Sequence, residues 1–186
     1  MHSSNVSCEA RPSSGGLDHL KPKWLVLAHQ QYCTSINSNM ITLCPACSDD
    51  YVFAFSLYVE AIKPLATAWT EWVDEDQQAQ FASLRRPDDT RMIVLDGEDI
   101  GWVEFRRTGD EVFLKQLYIS SRCQRRGIGS HVMRRLLEVQ RGTAKSMALF
   151  VLKNNPVFRF YERHGFSNVR EIGSRFVMRR EMVEAA

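Results

Sequence analysis

Gln124-Arg125-Arg126-Gly127-Ile128-Gly129-Ser130 joins a strand-like stretch to an amphipathic one. Upstream, Val112 to Ser120 alternates as a strand. Downstream, Ile128, Val132, Leu136 and Val139 recur on one face of a helix running from about Gly127 to Arg141. Such a junction favours an anion. The first turn of a helix has unpaired amides and the positive end of the helix dipole. Glycine lets the backbone approach a phosphate, and successive amides form a concave nest. Arg125 and Arg126 add positive charge. The spacing lacks the Gly-Lys-Ser/Thr ending of a P-loop, and it is not Gly-x-Gly-x-x-Gly. Gly-x-Gly alone is also compatible with simple close packing at a helix start.

Working outward, Asp49 onward reads as a helix, with Phe53, Leu57, Ala61 and Leu65 at helical spacing and Val52 and Ile62 beside them. Pro64 is expected to end it, since proline lacks the amide a helix interior needs. Asp74 to Leu84 reads as a second helix, and residues 85–89 as a loop. Met92–Leu95, Ile100–Arg107 and Val112–Ser120 read as strands, with turns at residues 96–99 and 108–110. These three strands meander antiparallel into the glycine turn. Ser146–Leu152 follows as a buried strand, Pro156–His164 as a short helix, and Phe166–Val169 and Arg175–Met178 as closing strands. The strand–helix–strand unit from Val112 to Leu152 requires a parallel crossover, so the class is α/β with mixed strand directions.

The first 39 residues are rich in Ser, Asn, His and Cys and show no sustained periodicity. A folded domain over residues 40–182 is expected to begin at Met40, directly before the strand-like Ile41–Pro45. Residues 1–39 then read as a flexible tail or as the product of an early start codon. The longest early apolar run, Trp24 to Ala28, is far shorter than the roughly 20 residues a membrane span needs. No membrane association and a cytoplasmic location are expected.

A net charge of +2 across 186 residues argues against bulk nucleic-acid binding. The recurring arginine pairs, Arg85-Arg86 among them, read as solvated faces and strand ends, with Arg125-Arg126 set apart by its neighbours. Five irregularly spaced cysteines do not suggest a disulfide framework. Cys44-Pro45-Ala46-Cys47 has the spacing of half a zinc site or a redox pair, but no second pair follows and it reads as accidental, so no metal is expected.

Gln124-x-x-Gly127-x-Gly129 matches the Gln/Arg-x-x-Gly-x-Gly/Ala motif of the GNAT superfamily of N-acetyltransferases, and the chain from about Ile41 to Arg180 resembles that family. Asn155-Pro156, followed by Tyr161-x-x-x-Gly165-Phe166, is similar to a second family segment. One departure is Ser121, where many relatives have proline. The resemblance implies a mixed, mostly antiparallel central sheet with helices on both faces. It also implies direct acyl transfer from acetyl-coenzyme A to an amine, small or peptidic, and leaves a homodimer open. Carried over, Gln124, Arg125, Arg126, Gly127, Ile128, Gly129 and Ser130 hold the pyrophosphate. Leu117, Tyr118 and Ile119 form the acetyl-binding strand, and an amide near Tyr118 or Ile119 stabilises the oxyanion. Asn155 contacts the pantetheine arm, and Tyr161 donates to the departing sulfur.

Glu104, on the same strand face as Trp102, is a candidate base, and Glu60 is a second. Tyr58, Trp69, Glu71, Trp72, Asp74, Glu75 and Asp76 suit either a cationic acceptor or ordinary packing. A non-catalytic acyl-coenzyme A sensor is the competing function. It would keep the glycine turn without needing Tyr161.

Overall fold

The computed structural model describes residues 34–36 and 41–182, with the side chains of 34–36 left aside. Eight strands form one sheet in the order β1-β2-β3-β4-β5-β6-β8-β7. They are β1 (Thr34–Ile36), β2 (Ile41–Pro45), β3 (Thr90–Leu95), β4 (Glu98–Thr108), β5 (Glu111–Ile119), β6 (Ser146–Leu152), β7 (Ser167–Ile172) and β8 (Arg175–Glu181). Every neighbouring pair is antiparallel except β5–β6. The sheet thus starts upstream of Met40, because Thr34 to Ile36 pair with Leu43 to Ile41. Residues 1–33 lie outside the described residues.

The helices are α1 (Tyr51–Ala66), α2 (Asp74–Leu84), α3 (Ile128–Gln140) and α4 (Phe158–Arg163). They divide between the two sheet faces. Val103, Val112, Leu114 and Leu149 pack with Val132, Met133, Leu136 and Leu137 of α3 and Tyr161 of α4. On the opposite face, Met92, Val94 and Trp102 pack with Ala54 and Leu57 of α1 and Phe81 of α2. Phe81 is the only buried residue of α2. It meets Tyr58 and Trp102 at ring-centroid distances of 5.2 and 5.8 Å, so α2 is held by one aromatic anchor rather than by an apolar stripe.

Some expectations need correction. Pro64 does not end α1, which runs to Ala66. Proline in the last turn forfeits a single ladder bond, and the turn closes through Thr67 N donating to Lys63 O at 3.2 Å. Val52 and Val139 are exposed, so neither belongs to its helix's packed face. The short helix starts at Phe158 rather than Pro156, because Asn155 Oδ1 accepts the Val157 amide at 3.0 Å and shapes the preceding turn. Cys47 is disulfide-bonded, which the irregular spacing does not predict, and Cys8 and Cys33 lie outside the described residues. No helix among the described residues is long and apolar enough to cross a membrane.

Two features open the sheet. The β5–β6 pairing covers only Glu111–Leu114 with Ser146–Leu149. One residue later β5 carries a bulge: Glu104 faces Gln116, while Phe105 faces Leu114, leaving Lys115 extra. A bulge inverts the facing of everything after it. Val112 and Leu114 pack on the α3 side before it, and Leu117 and Ile119 do so after it. Tyr118 is thereby turned to the Trp102 side. Beyond the bulge β5 has no β6 partner, and a cleft of about 1120 Å³ lies there.

Candidate active site

The glycine turn forms one wall of this cleft. Gly127 N-caps α3 in the left-handed region at φ 80°, and Arg125 is also left-handed at φ 58°. Alternating hands of this kind turn successive amides inward. The first intrahelical bond there is His131 N to Gly127 O at 3.0 Å, so the amides of Ile128, Gly129 and Ser130 have no backbone acceptor among the described residues. The two glycines differ in role. A Cβ on Gly127 would meet nothing within 4 Å, so conformation alone demands glycine. At Gly129 a Cβ would lie 3.5 Å from both Ile119 and Phe160, which measures how closely α3 abuts β5 and α4.

Gln124, Arg125, Gly127, Gly129 and Ser130 line the cleft. Arg126 is exposed and outside the lining, and the Ile128 side chain is buried in the core, so Ile128 offers the cleft only its amide.

Leu117, Tyr118 and Ile119 also line it. Ser120 N donates to Ile100 O at 2.7 Å. Antiparallel alternation then directs the Tyr118 amide at β4 and those of Leu117 and Ile119 away from it, into the opening. Of Tyr118 and Ile119, strand parity therefore selects Ile119. The Ile119 carbonyl is occupied by Gln124 Nε2 at 2.8 Å, which ties the glycine turn to the strand. Gly101 permits the tight β4–β5 approach here, because a Cβ would lie 2.3 Å from the Tyr118 carbonyl oxygen.

From α4, Tyr161 lines the cleft. Its ring packs edge-on against Phe160 and Phe166 at 5.2 and 5.8 Å, so the core-packing and functional readings are compatible. Its hydroxyl has no hydrogen-bond partner among the described residues. Burial raises its pKa above the ordinary 10.0, so the phenol stays protonated at neutral pH. Asn155 also lines the cleft, its Oδ1 held by the Val157 amide and its Nδ2 left over.

The opposite half is walled by Tyr58, Trp69, Trp72 and Phe81. Trp69 is 50% exposed, so these tryptophans line the opening instead of filling the core. Glu60, Glu71, Asp74, Glu75 and Asp76 are exposed and outside the lining. Asp74 is taken by Lys63 Nζ at 2.9 Å and Trp72 Nε1 at 2.7 Å, which lower its pKa.

Glu104 is the single carboxylate in the lining. It is buried and accepts from Lys115 Nζ at 2.6 Å, so the bulged residue supplies its counter-charge. Sequence reasoning missed Gln116, whose Oε1 is buried and unpartnered, and Arg85. Arg85 is 9% exposed and lines the cleft, against its reading as a solvated residue. Its long polar side chain carries no local signal of this burial.

The acetyltransferase (GNAT) family model matches residues 54–166, more than half of the chain. No curated protein matches. Among solved structures, the PaiA N-acetyltransferase of Thermoplasma acidophilum in complex with coenzyme A is similar at 17% identity. The match covers 76% of this chain and 98% of that one, with a TM-score of 0.63. The ribosomal-protein-S18-alanine N-acetyltransferase of Escherichia coli is similar at 18% identity, covering 79% and 97%, with a TM-score of 0.57. At such identities the neighbours speak for the fold. With the family match spanning the bulged strand, the glycine turn and the Tyr161 helix, this chain belongs to the GNAT acetyltransferase family.

Proposed function

We propose that this protein is an acetyl-coenzyme A-dependent N-acetyltransferase that acylates an amine by direct transfer. The observation that carries the reading is one cleft bordered by an amide nest at Ile128–Ser130, the outward amides of Leu117 and Ile119, and the Tyr161 hydroxyl. The nest and Arg125 suit the pyrophosphate, and Arg126, at the rim, adds long-range attraction. Asn155 Nδ2 donates to the pantetheine arm. The coenzyme A held by the Thermoplasma neighbour supports an acyl-coenzyme A donor.

In the chemical step the neutral amine nitrogen attacks the thioester carbonyl carbon, forming a C–N bond. The Ile119 amide donates to the oxygen as it becomes anionic. The amine proton leaves to Glu104, directly or through a water, and the Lys115 ion pair at 2.6 Å holds that side chain in place. As the tetrahedral intermediate collapses the C–S bond breaks, and Tyr161 donates a proton to the departing thiolate. A sensor would have no use for an unpartnered phenol aimed into the cleft, which favours the enzyme. Free-thiol release from acetyl-coenzyme A across an amine panel tests the reading. Tight coenzyme A binding with no turnover of any amine would favour the sensor instead.

A further inference from the structure

The charged lining of the cleft is lopsided. Arg85, Lys115, Arg125, Arg163 and Arg175 face it with a single carboxylate, Glu104. Arg125 belongs to the donor turn and Arg163 to α4. Lys115 and Glu104 neutralise each other. Arg85 and Arg175 remain on the acceptor side, and neither forms an ion pair among the described residues.

Arg85 is the more informative of the two. It follows the last residue of α2 and lines the cleft. Its Nη2 donates to Cys47 O at 3.0 Å, while Nε is buried without a partner and Nη1 makes no hydrogen bond among the described residues. Asp50 accepts the Cys47 amide at 2.7 Å. A guanidinium withdrawn from water without a counter-charge is costly, and its planar fork matches a carboxylate.

Its neighbourhood is fixed by sheet register. Thr90 Oγ1 donates to Arg86 O at 2.8 Å, and Thr90 pairs with Glu104, which pairs with Gln116. The chain just after Arg85 is therefore held at the strand level of Glu104 and Gln116, and the Arg85 side chain shares their cleft lining. About 10 Å of strand separates Gln116 from Ile119. Arg175, from β8, lines the same cleft, and its charge reaches the phenols of Tyr58 and Tyr118.

Resting on the acetyltransferase reading, we infer that the acceptor is a small amine that also carries a carboxylate, and that Arg85 binds this carboxylate. The inference departs from the cationic acceptor that the aromatic and acidic residues of the first two helices suggest, because those acids lie outside the cleft. It also gives the unpartnered Gln116 Oε1 a task, as acceptor for an N–H of the bound amine.

The test uses the full chain. Coenzyme A is titrated first by calorimetry. Protein saturated with coenzyme A is then titrated with glycine, β-alanine and the common L-amino acids, each beside its amide, so that members of a pair differ only in the carboxylate. At least one acid is expected to bind ten-fold or more tighter than its amide. Arg85→Gln should abolish that preference while leaving the coenzyme A Kd within two-fold. Should that variant fail to fold, Arg85→Lys, which keeps the charge but not the fork, should cut the preference at least three-fold. Equal binding of acids and amides, binding of neither, or a preference untouched by the folded variant would overturn the inference while leaving the donor site standing. Absence of coenzyme A binding would sink the donor-site reading and this inference with it.

Discussion

The proposed donor and acceptor halves of the cleft are built by different means. The donor half is backbone: amides at the start of α3, amides of the unpaired end of β5, and glycines that set their direction. The acceptor half is side chains drawn from residues far apart in the chain, Tyr58 and Trp72 beside Arg85, Glu104 and Gln116. A backbone site tolerates sequence change wherever φ and spacing persist, whereas a side-chain site is rewritten by each substitution. The contrast explains how a donor can be read from a motif and an acceptor cannot.

The largest expected effect joins the halves, since the role proposed for Tyr161 lies where the transferred group leaves its donor. Tyr161→Phe should lower kcat by roughly 10²–10⁴-fold, with coenzyme A affinity nearly unchanged in calorimetry. Because burial raises the folded-state pKa, the wild-type phenol stays protonated through about pH 10. A loss of kcat between pH 7 and 9 that disappears in Tyr161→Phe would contradict that assignment.

Next come substitutions that should separate the halves. Glu104→Gln should reduce turnover about ten- to hundred-fold without weakening coenzyme A, since the acceptor side loses its proposed base. Equal turnover at every pH would leave deprotonation to water alone. Gly127→Ala should do the reverse. Its left-handed φ of 80° costs an L-residue about 1–2 kcal/mol, and the distorted nest should weaken coenzyme A about ten-fold with a modest change in amine KM. Gly129→Ala sharpens the point: its Cβ meets only ordinary contacts at 3.5 Å, and alanine favours a helix by about 1 kcal/mol over glycine. Thermal melts should therefore rank Gly129→Ala at or above wild type and Gly127→Ala below it.

The smallest effect falls outside the cleft. Asp74→Asn removes an exposed pair with Lys63, and the melting temperature should move by no more than about 2 °C. The folded Asp74 carboxyl is held below its ordinary 3.8, so its contribution is complete above that value and is lost as pH falls through the depressed pKa. Around neutral pH stability should therefore not vary with pH through this group.

Much of the fold was legible because periodicity is local. Asp74–Leu84 and Ser146–Leu152 follow from pattern and flanking breakers to the residue. The hairpin at Asp96-Gly97 has the two left-handed residues, φ 51° and 86°, that the Asp-Gly pair suggests. The errors have local causes too. Pro64 is tolerated because it falls in a last turn, and Val139 lies off the packed face of α3 despite its apolar side chain.

The sequence by itself determined the element order and the place of the Gln124–Ser130 turn at the start of α3, since both depend on residues adjacent in the chain. Only the tertiary structure decided that Lys115 is bulged, that Ile119 rather than Tyr118 offers its amide to the opening, and that Arg85 is buried there. Strand parity depends on register with a partner strand, and burial on elements tens of residues away. Neither leaves a mark on the neighbouring sequence.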